Sequence, residues 1–432
     1  MRTIGTLGVI LFATLLLAGC GGGNNGGGNG TVNHSGVGLK TIMSVPNVDA
    51  TTNFSFDISA VDTVKGRYYF TDRNNYGVDV FDIKKNTFIK RIKGGFAGCN
   101  TGPTCAGANN DKSGPDGINI IPGTTLIYVG DVNSVKIIDT QTDTVVNTIA
   151  IGGSSGLRAD EGCYDPDHNL FMISSPAEMP PFATFIDTTT QKIIATLKFT
   201  DPGTGLTGPP AAGLEACIYD HASASFLVNN DGSTANPHGE TDVIPAAFVL
   251  TGTPANPVTL TLPVVSPGNG FKIFPLGNCD PTGIDLGPGT DYGVMCRQGT
   301  TGALLTFQIL DRTSGAVLAV LNAGGGDQIA YDAATNRYFL SSSRFTASGL
   351  AAVAGTCAAA SPCTPELFVV DAATRQIIVS VPTGNNAHSV GVDPVGHQVY
   401  LPFSSNGAPG GCATCATNFP NGAGGVGVYT SQ

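Results

Sequence analysis

From Leu39 onward, apolar and polar residues alternate in short runs, each broken by a small or polar turn. That period of two is the pattern of half-buried β-strands, and no stretch shows the three-to-four spacing of a long amphipathic helix. The runs recur in a fixed order: an apolar strand ending near Asp, a short turn, a strand rich in Tyr, Phe and Val, a linker, a strand ending in Asp, a second turn and a last strand. The second strands read RYYFTD (Arg67 to Asp72), LIYVGD (Leu126 to Asp131), LFMISS (Leu170 to Ser175), SFLVNN (Ser225 to Asn230), YGVMC (Tyr292 to Cys296), RYFLSS (Arg337 to Ser342) and VYLPFS (Val399 to Ser404). The third and fourth strands recur as hairpins, for example VKIIDTQTDTVVNTIAI from Val135 and LFVVDAATRQIIVSVP from Leu367.

A four-stranded unit cannot bury both its faces alone, so neighbouring units must stack. Seven such units predict an all-β chain folded as a seven-bladed β-propeller. The last unit stops after its third strand, VGVYTSQ, while Leu39 to Pro46 (LKTIMSVP) reads as a spare fourth strand. The N-terminal strand is therefore expected to complete the seventh blade, closing the ring and removing an exposed edge. The segment Ile127 to Gly153, IYVGDVNSVKIIDTQTDTVVNTIAIGG, resembles the YVTN-type β-propeller repeat, and the likeness extends over nearly all of residues 38 to 432. That resemblance implies a fold and not a chemistry.

The first twenty residues differ. Arg2 precedes an apolar run from Ile4 to Leu17, followed by Leu17, Ala18, Gly19 and Cys20. This resembles the lipobox of bacterial lipoproteins, which implies diacylglycerol on the Cys20 thiol, cleavage after Gly19 and acylation of the new amino terminus. An ordinary secretory signal or a membrane-spanning helix is the alternative, but the apolar run is short of the ~20 residues that spanning takes. Residues 1–19 are thus read as a signal peptide, 20–37 as the lipidated Cys with a Gly/Asn tether, and 38–432 as the propeller. The tether can bury almost nothing apolar and is expected to stay a coil that sets the reach of the folded domain. Gly21 rather than Asp follows Cys20, which by resemblance to Gram-negative sorting favours the outer membrane. Several acyl chains on one residue would anchor the protein on a membrane, not through it.

Composition narrows the partners. Charged residues make up 12% of the chain and the net charge is -11, so the clustered Lys and Arg that grip nucleic-acid phosphates are missing. Nucleic acid is excluded as an expected partner. The lack of Trp weakens a carbohydrate platform, although Tyr and Phe can substitute in part.

Eleven Cys less the lipidated one leaves ten, an even number suited to five disulfides in an exported protein. Cys99 with Cys105 and Cys357 with Cys363 would pinch loops rich in Gly, Ala and Pro, and Cys412 with Cys415 is a tighter loop pair. Cys279 and Cys296 lie about the turn LGPGTD, facing each other across a hairpin. Cys163 and Cys217 hold matching places in successive first strands and pair mainly by elimination. The Cys412, Ala413, Thr414, Cys415 motif also has the spelling of a redox site, but Ala416 stands where haem attachment uses His.

Six first strands end at Asp62, Asp165, Asp220, Asp285, Asp332 and Asp393. Five residues earlier stand Asp57, Asp160, Glu215, Asp280, Asp327 and His388, and Asp116 holds the matching place in the second unit; Glu161 is an alternative to Asp160. Because first strands line a propeller's channel, these side chains are expected to ring one mouth. Crowded carboxylates either hold a hard cation such as calcium or carry raised pKa values. The plain alternative is a wet, polar pore mouth satisfied by water and backbone amides. Long connections, residues 97–115, 230–245, 345–365 and 404–425, are expected on the same face, where loops on a rigid scaffold carry recognition.

The sequence thus points to a membrane-anchored propeller that presents a loop-rich face to a protein, polymer or small ligand, more a binding protein than an enzyme. No H-E-x-x-H motif, phosphate loop or haem motif is present. The rival is a hydrolase, since lactonase-type propellers resemble this architecture; His388 would then be the base and Glu215 a metal or electrostatic partner, with Asp280 and Asp327 beside it. An accessory subunit like the propellers of quinoprotein or cytochrome systems is a third reading, without a visible cofactor anchor.

Overall fold

In five of the seven blades the Asp that ends the first strand stops it by capping the turn that follows; blade 2 ends on Ile120, and Asp285 of blade 5 accepts instead from the Tyr331 N–H of the next blade. Asp62 accepts the backbone N–H of Lys65, Asp165 those of Asp167 and His168, Asp332 that of Ala334 and Asp393 that of Val395. Third strands end on the same device, Asp82 capping Lys84 and Lys85, and Asp187 capping Thr189 and Thr190. A short carboxylate satisfies turn amides that the sheet ladder no longer reaches. One left-handed residue then reverses the chain, as at Asn169 (φ 56°) and Asn86 (φ 54°).

A computed structural model of the chain describes residues 36–200, 213–297, 300–352, 357, 361–407 and 411–431. The signal segment, Cys20 and the tether up to residue 35 lie outside the described residues. The turns join 29 strands into seven sheets among these residues. The seven first strands are Phe56–Asp62, Ile118–Ile120, Gly162–Asp165, Leu214–Asp220, Pro281–Leu286, Ile329–Asp332 and Gly391–Asp393. Each lies against the first strand of the next sheet, and Gly391–Asp393 lies against Phe56–Asp62, so the circle closes. This is the seven-bladed β-propeller that the repeat predicts.

Packing explains why the units cannot stand alone. The second residue of each second strand is Tyr68, Ile127, Phe171, Phe226, Tyr292, Tyr338 or Val399, none more than 1% exposed. Side chains of this kind fill clusters shared between adjoining blades, such as Tyr68, Phe70 and Phe81 of the first with Tyr400 and Val428 of the seventh. Apolar burial of about 1.5–3 kcal/mol per large side chain is thus spent on joining blades.

The seventh blade closes as expected. Leu39–Ser44 pairs antiparallel with Gly425–Thr430, Ser44 opposite Gly425 and Leu39 opposite Tyr429. Val37, read above as tether, is buried with Val399, Leu401 and Tyr429, and the Gly38 amide donates to Thr430 Oγ1 at 3.0 Å.

Blades 3 and 4 depart from the four-strand unit. The stretch 230–245, expected to be a loop throughout, contains the third strand of blade 4, Glu240–Pro245. A short helix, Ala246–Val249, then leads to Val258–Thr261, which runs parallel to Lys192–Lys198 and gives blade 3 a fifth strand. Val258 and Leu260 pack onto the core between these blades, which is why the insertion folds back rather than extending into solvent. Lys272–Pro275 finally supplies the outer strand of blade 4.

All five expected disulfides form: Cys99 with Cys105, Cys163 with Cys217, Cys279 with Cys296, Cys357 with Cys363, and Cys412 with Cys415. Two of these loops are stitched together, since Cys363 donates its N–H to Gly411 O and accepts from Ala413 N–H.

Candidate binding site at the channel mouth

First and second strands of a blade run antiparallel, so second strands leave at the mouth where first strands enter. The residues that follow them are therefore delivered to the same opening. In blades 1 and 5 they are Arg73 and Arg297; in blade 4 it is Asp231; in blade 6 Arg344 stands two places on.

A cavity of about 170 Å³ opens there. Asp57, Asp160, Glu161, Glu215, Asp327 and His388 of the expected ring all line it. Asp160 and Glu161 both contribute, so neither replaces the other. Asp116 is fully buried behind the wall, and one oxygen from each of Asp57, Asp116 and Asp160 lies within 4.8 Å of the others. Asp280 does not join the lining. It adopts a left-handed conformation (φ 46°), its N–H and that of Cys279 both donate to His238 O, and its carboxylate sits 3.6 Å from His238 Nδ1.

The arginines were not anticipated, and four of the chain's ten line this cavity: Arg73, Arg158, Arg297 and Arg344. Arg73 lies 2.8 Å from Asp57 Oδ2 and also donates to Asp116. Arg158 Nη2 lies 2.9 Å from Asp160 Oδ2. Arg297 sits 3.4 Å from Glu215 and 3.6 Å from Asp231. Arg344 has no ion pair or side-chain hydrogen bond among the described residues. For Arg73 and Arg297 the signal in the sequence was positional: a cation just after a second strand must come out at the mouth.

These pairings set the charge of the site. Burial pushes Asp57 up, but Arg73, His388 and Arg158 together hold its carboxyl well below the usual range. At Asp160 burial outweighs Arg158, and the carboxyl is raised to about 7. Burial raises Asp116 well above the ordinary value against the pull of Arg73. Glu161 and Glu215 are raised well above theirs by burial and then by Asp160 and Asp231. Burial lowers Arg344. His388 stacks on Phe56, ring centres 4.6 Å apart, and donates Nδ1–H to Asn386 O at 2.8 Å, which leaves Nε2 3.7 Å from Asp57 Oδ1.

Calcium was the cofactor weighed for an unbalanced acidic ring, and this donor set does not fit it. The Arg73 guanidinium already bridges Asp57 and Asp116 and Arg158 holds Asp160, so although Asp116 Oδ2 is left without a partner, a cation there would sit against two guanidiniums. Below the mouth the channel continues as a second cavity of about 200 Å³, walled by Ile58, Ile118, Ile218, Ile284 and Ile329 and by the Cys163–Cys217 bridge; Glu161 lines both.

Of the four connections expected on this face, only 97–115 contributes to the cavity among the described residues. Asn110 from the 97–115 connection and Asn386 from the linker into blade 7 reach the cavity. Asp111 O accepts the Arg158 N–H, and Asn53 Nδ2 donates to Cys105 O. Gly152 to Gly156 has the G-x-S-x-G spelling of a nucleophile elbow. It forms no strand-to-helix turn, however, and Ser154 Oγ donates to Glu178 at 3.3 Å.

No family model matches the chain, and no curated protein matches it. Many solved structures do. Hydrazine synthase of Kuenenia stuttgartiensis aligns with a TM-score of 0.59 and 12% identity, over 90% of this chain and 99% of that one. A structure of U3-55K aligns with a TM-score of 0.55 and 10% identity, over 92% of this chain and 99% of that one. Identities this low show the propeller fold alone. The YVTN-type and lipoprotein resemblances rest on the sequence.

Proposed function

We propose that this chain is a lipid-anchored envelope protein whose propeller binds a small polar ligand at the arginine-and-carboxylate mouth. The β-propeller is a scaffold suited to binding, and one observation carries the finer reading. The mouth is an enclosed polar cavity in which three guanidiniums are matched to carboxylates at 2.8–3.6 Å while loops from several blades form its rim. Fixed, paired charges of this sort orient a small molecule by directed hydrogen bonds. A protein or polymer partner would meet the rim; a cavity of about 170 Å³ holds something smaller. The Cys20 anchor and the outer-membrane location belong to this proposal on the strength of the lipobox resemblance.

The hydrolase reading is not favoured. His388 and Glu215 share the cavity, but Glu215 is engaged by Arg297, and the carboxylates that would hold a metal are engaged by Arg73 and Arg158.

The test is a thermal-shift screen of the detergent-solubilised mature protein against small neutral and charged polar compounds, run beside a lactone and ester panel and a metal analysis. Stabilisation by a subset of compounds, reduced in Arg158→Gln, is expected. Ester or lactone turnover lost in His388→Ala, or one tightly held calcium per chain, would overturn the proposal.

A further inference from the structure

We infer that the face opposite the mouth is a membrane-docking surface. Under blades 7 and 1 it lies against anionic phospholipid, with Val64 and Val395 in the headgroup layer and Lys40, Lys84 and Lys85 toward the phosphates, so that the mouth points away from the bilayer. This rests on the lipid anchor of the proposed function and not on what the mouth binds.

Strand directions decide where the chain leaves. Gly391–Asp393 starts beside His388 at the mouth and runs away from it, Gln398–Phe403 returns, and Gly425–Thr430 runs away again, with Thr430 opposite Gln398. Leu39 pairs with Tyr429 at that far end, and Gly36 O accepts from Thr430 Oγ1. The chain toward Cys20 therefore departs from the far face.

An apolar and basic patch stands at the same spot. Two residues after the Asp that ends the first strand stand Val64 in blade 1 and Val395 in blade 7, where blades 3, 4 and 6 have Asp167, Ala222 and Ala334. At 94% and 77%, these valines are the most exposed large apolar side chains among the described residues, and their turns end first strands that lie against each other. Lys40, Lys84 and Lys85 are exposed beside them, whereas Asp62 and Asp393 are buried caps and Asp82 caps its turn 3.7 Å from Lys85. Gln398 ties the pieces together: its Oε1 accepts from Lys40 Nζ at 3.1 Å and Asn86 Nδ2 at 2.9 Å, and its Nε2 donates to Ile83 O at 3.0 Å. The corresponding connections of blades 2 to 6, between first and second and between third and fourth strands, contain no lysine. In a chain of net charge -11, the projecting lysines of this face thus gather where the tether leaves. Anionic lipid attracts each such lysine by about fivefold in affinity, and apolar tips gain by leaving water for the headgroup boundary.

Site-specific labelling tests the docking. The mature protein carries an environment-sensitive dye at Val64→Cys, at Val395→Cys or, in the connection that leaves blade 6 at the mouth, at Ala347→Cys, and is reconstituted into phosphatidylcholine vesicles with and without phosphatidylglycerol. With phosphatidylglycerol present, the dyes replacing Val64 and Val395 are expected to shift to the blue and resist an aqueous quencher, while the dye replacing Ala347 does neither. Lys84→Gln with Lys85→Gln should melt like the parent and lower the ratio of shielded to exposed dye by roughly tenfold or more. Dyes that stay exposed at Val64 and Val395 on both kinds of vesicle, or shielding at Ala347 instead, overturn the docking and leave the anchor standing. Shielding in native membranes but not on vesicles means that a protein covers the patch, and overturns lipid as its occupant. An unmodified Cys20 by mass analysis removes the anchor, whereas shielding of the same two dyes by added phosphatidylglycerol vesicles would still uphold the surface.

Discussion

Arg158 and Asp160 stand one residue apart in the linker entering blade 3, and their side chains meet again at 2.9 Å on the mouth of the channel. Between them Ala159 is fully buried, and its N–H donates to Asp131 O of blade 2. The pair is therefore fastened to two blades, with both charges turned into the same cavity.

That arrangement has a pH signature. Burial holds the Asp160 carboxyl at about 7 in the folded protein, above its unfolded value near 4, so the folded state keeps a proton that the unfolded chain releases. The contribution is present in full below about pH 4 and is lost as pH rises through about 7, at up to about 1.4 kcal/mol per pH unit. Asp160→Asn does not titrate. The melting temperature of this variant relative to the parent should rise between pH 5 and pH 8, and a constant difference across that range would contradict the assignment.

How much of this was written in the chain differs between fold and site. Seven second strands, the closing strand Leu39–Ser44 and four of the disulfides were legible, because strand period, turn Asp residues and closely spaced Cys are local signals; Cys163 with Cys217, 54 residues apart, followed mainly by elimination. The fifth strand of blade 3 was not. Val258–Thr261 reaches Lys192–Lys198 from another blade, a choice made by tertiary packing of Val258 and Leu260. The acidic ring was legible as positions counted back from each strand-ending Asp. Its neutralisation was not, since Arg158 and Arg344 lie in irregular linkers whose path no periodicity describes, and Asp280 was turned aside by one left-handed residue.

The disulfides should differ in weight. Cys163 and Cys217 join the first strands of blades 3 and 4 across a separation of 54 residues, whereas Cys99 and Cys105 are 6 apart. Constraint of the unfolded chain grows with loop length, giving about 4 kcal/mol for the long closure and about 2 for the short one. Urea unfolding of the paired Cys163→Ala/Cys217→Ala variant should show the larger loss; the reverse order would mean that native packing rather than loop length decides.

The anchor makes a separate prediction. If Cys20 carries acyl chains, Cys20→Ser leaves an apolar signal without its lipid, and the protein should move from the membrane pellet to the soluble fraction or remain as an unprocessed, longer species. Mass analysis of the parent should find a mature chain beginning at a lipid-modified Cys20. An unmodified Cys20 in the parent, or a variant that pellets at mature length, would remove the lipoprotein from the proposal.

Closure of the ring by its first strand can be probed at one side chain. Met43 is 3% exposed and packs with Val45, Phe54, Tyr400 and Val426, so it contributes to the seam between blades 7 and 1. Met43→Ala empties that position and should cost about 2–5 kcal/mol. Ile42, on the same strand, is 39% exposed, and Ile42→Ala should cost far less. Because the strand is the last partner of a closed circle, Met43→Ala is expected to lower the midpoint of one cooperative transition rather than to release a separate early phase. A variant that melts like the parent would show that the seventh blade holds without its N-terminal strand.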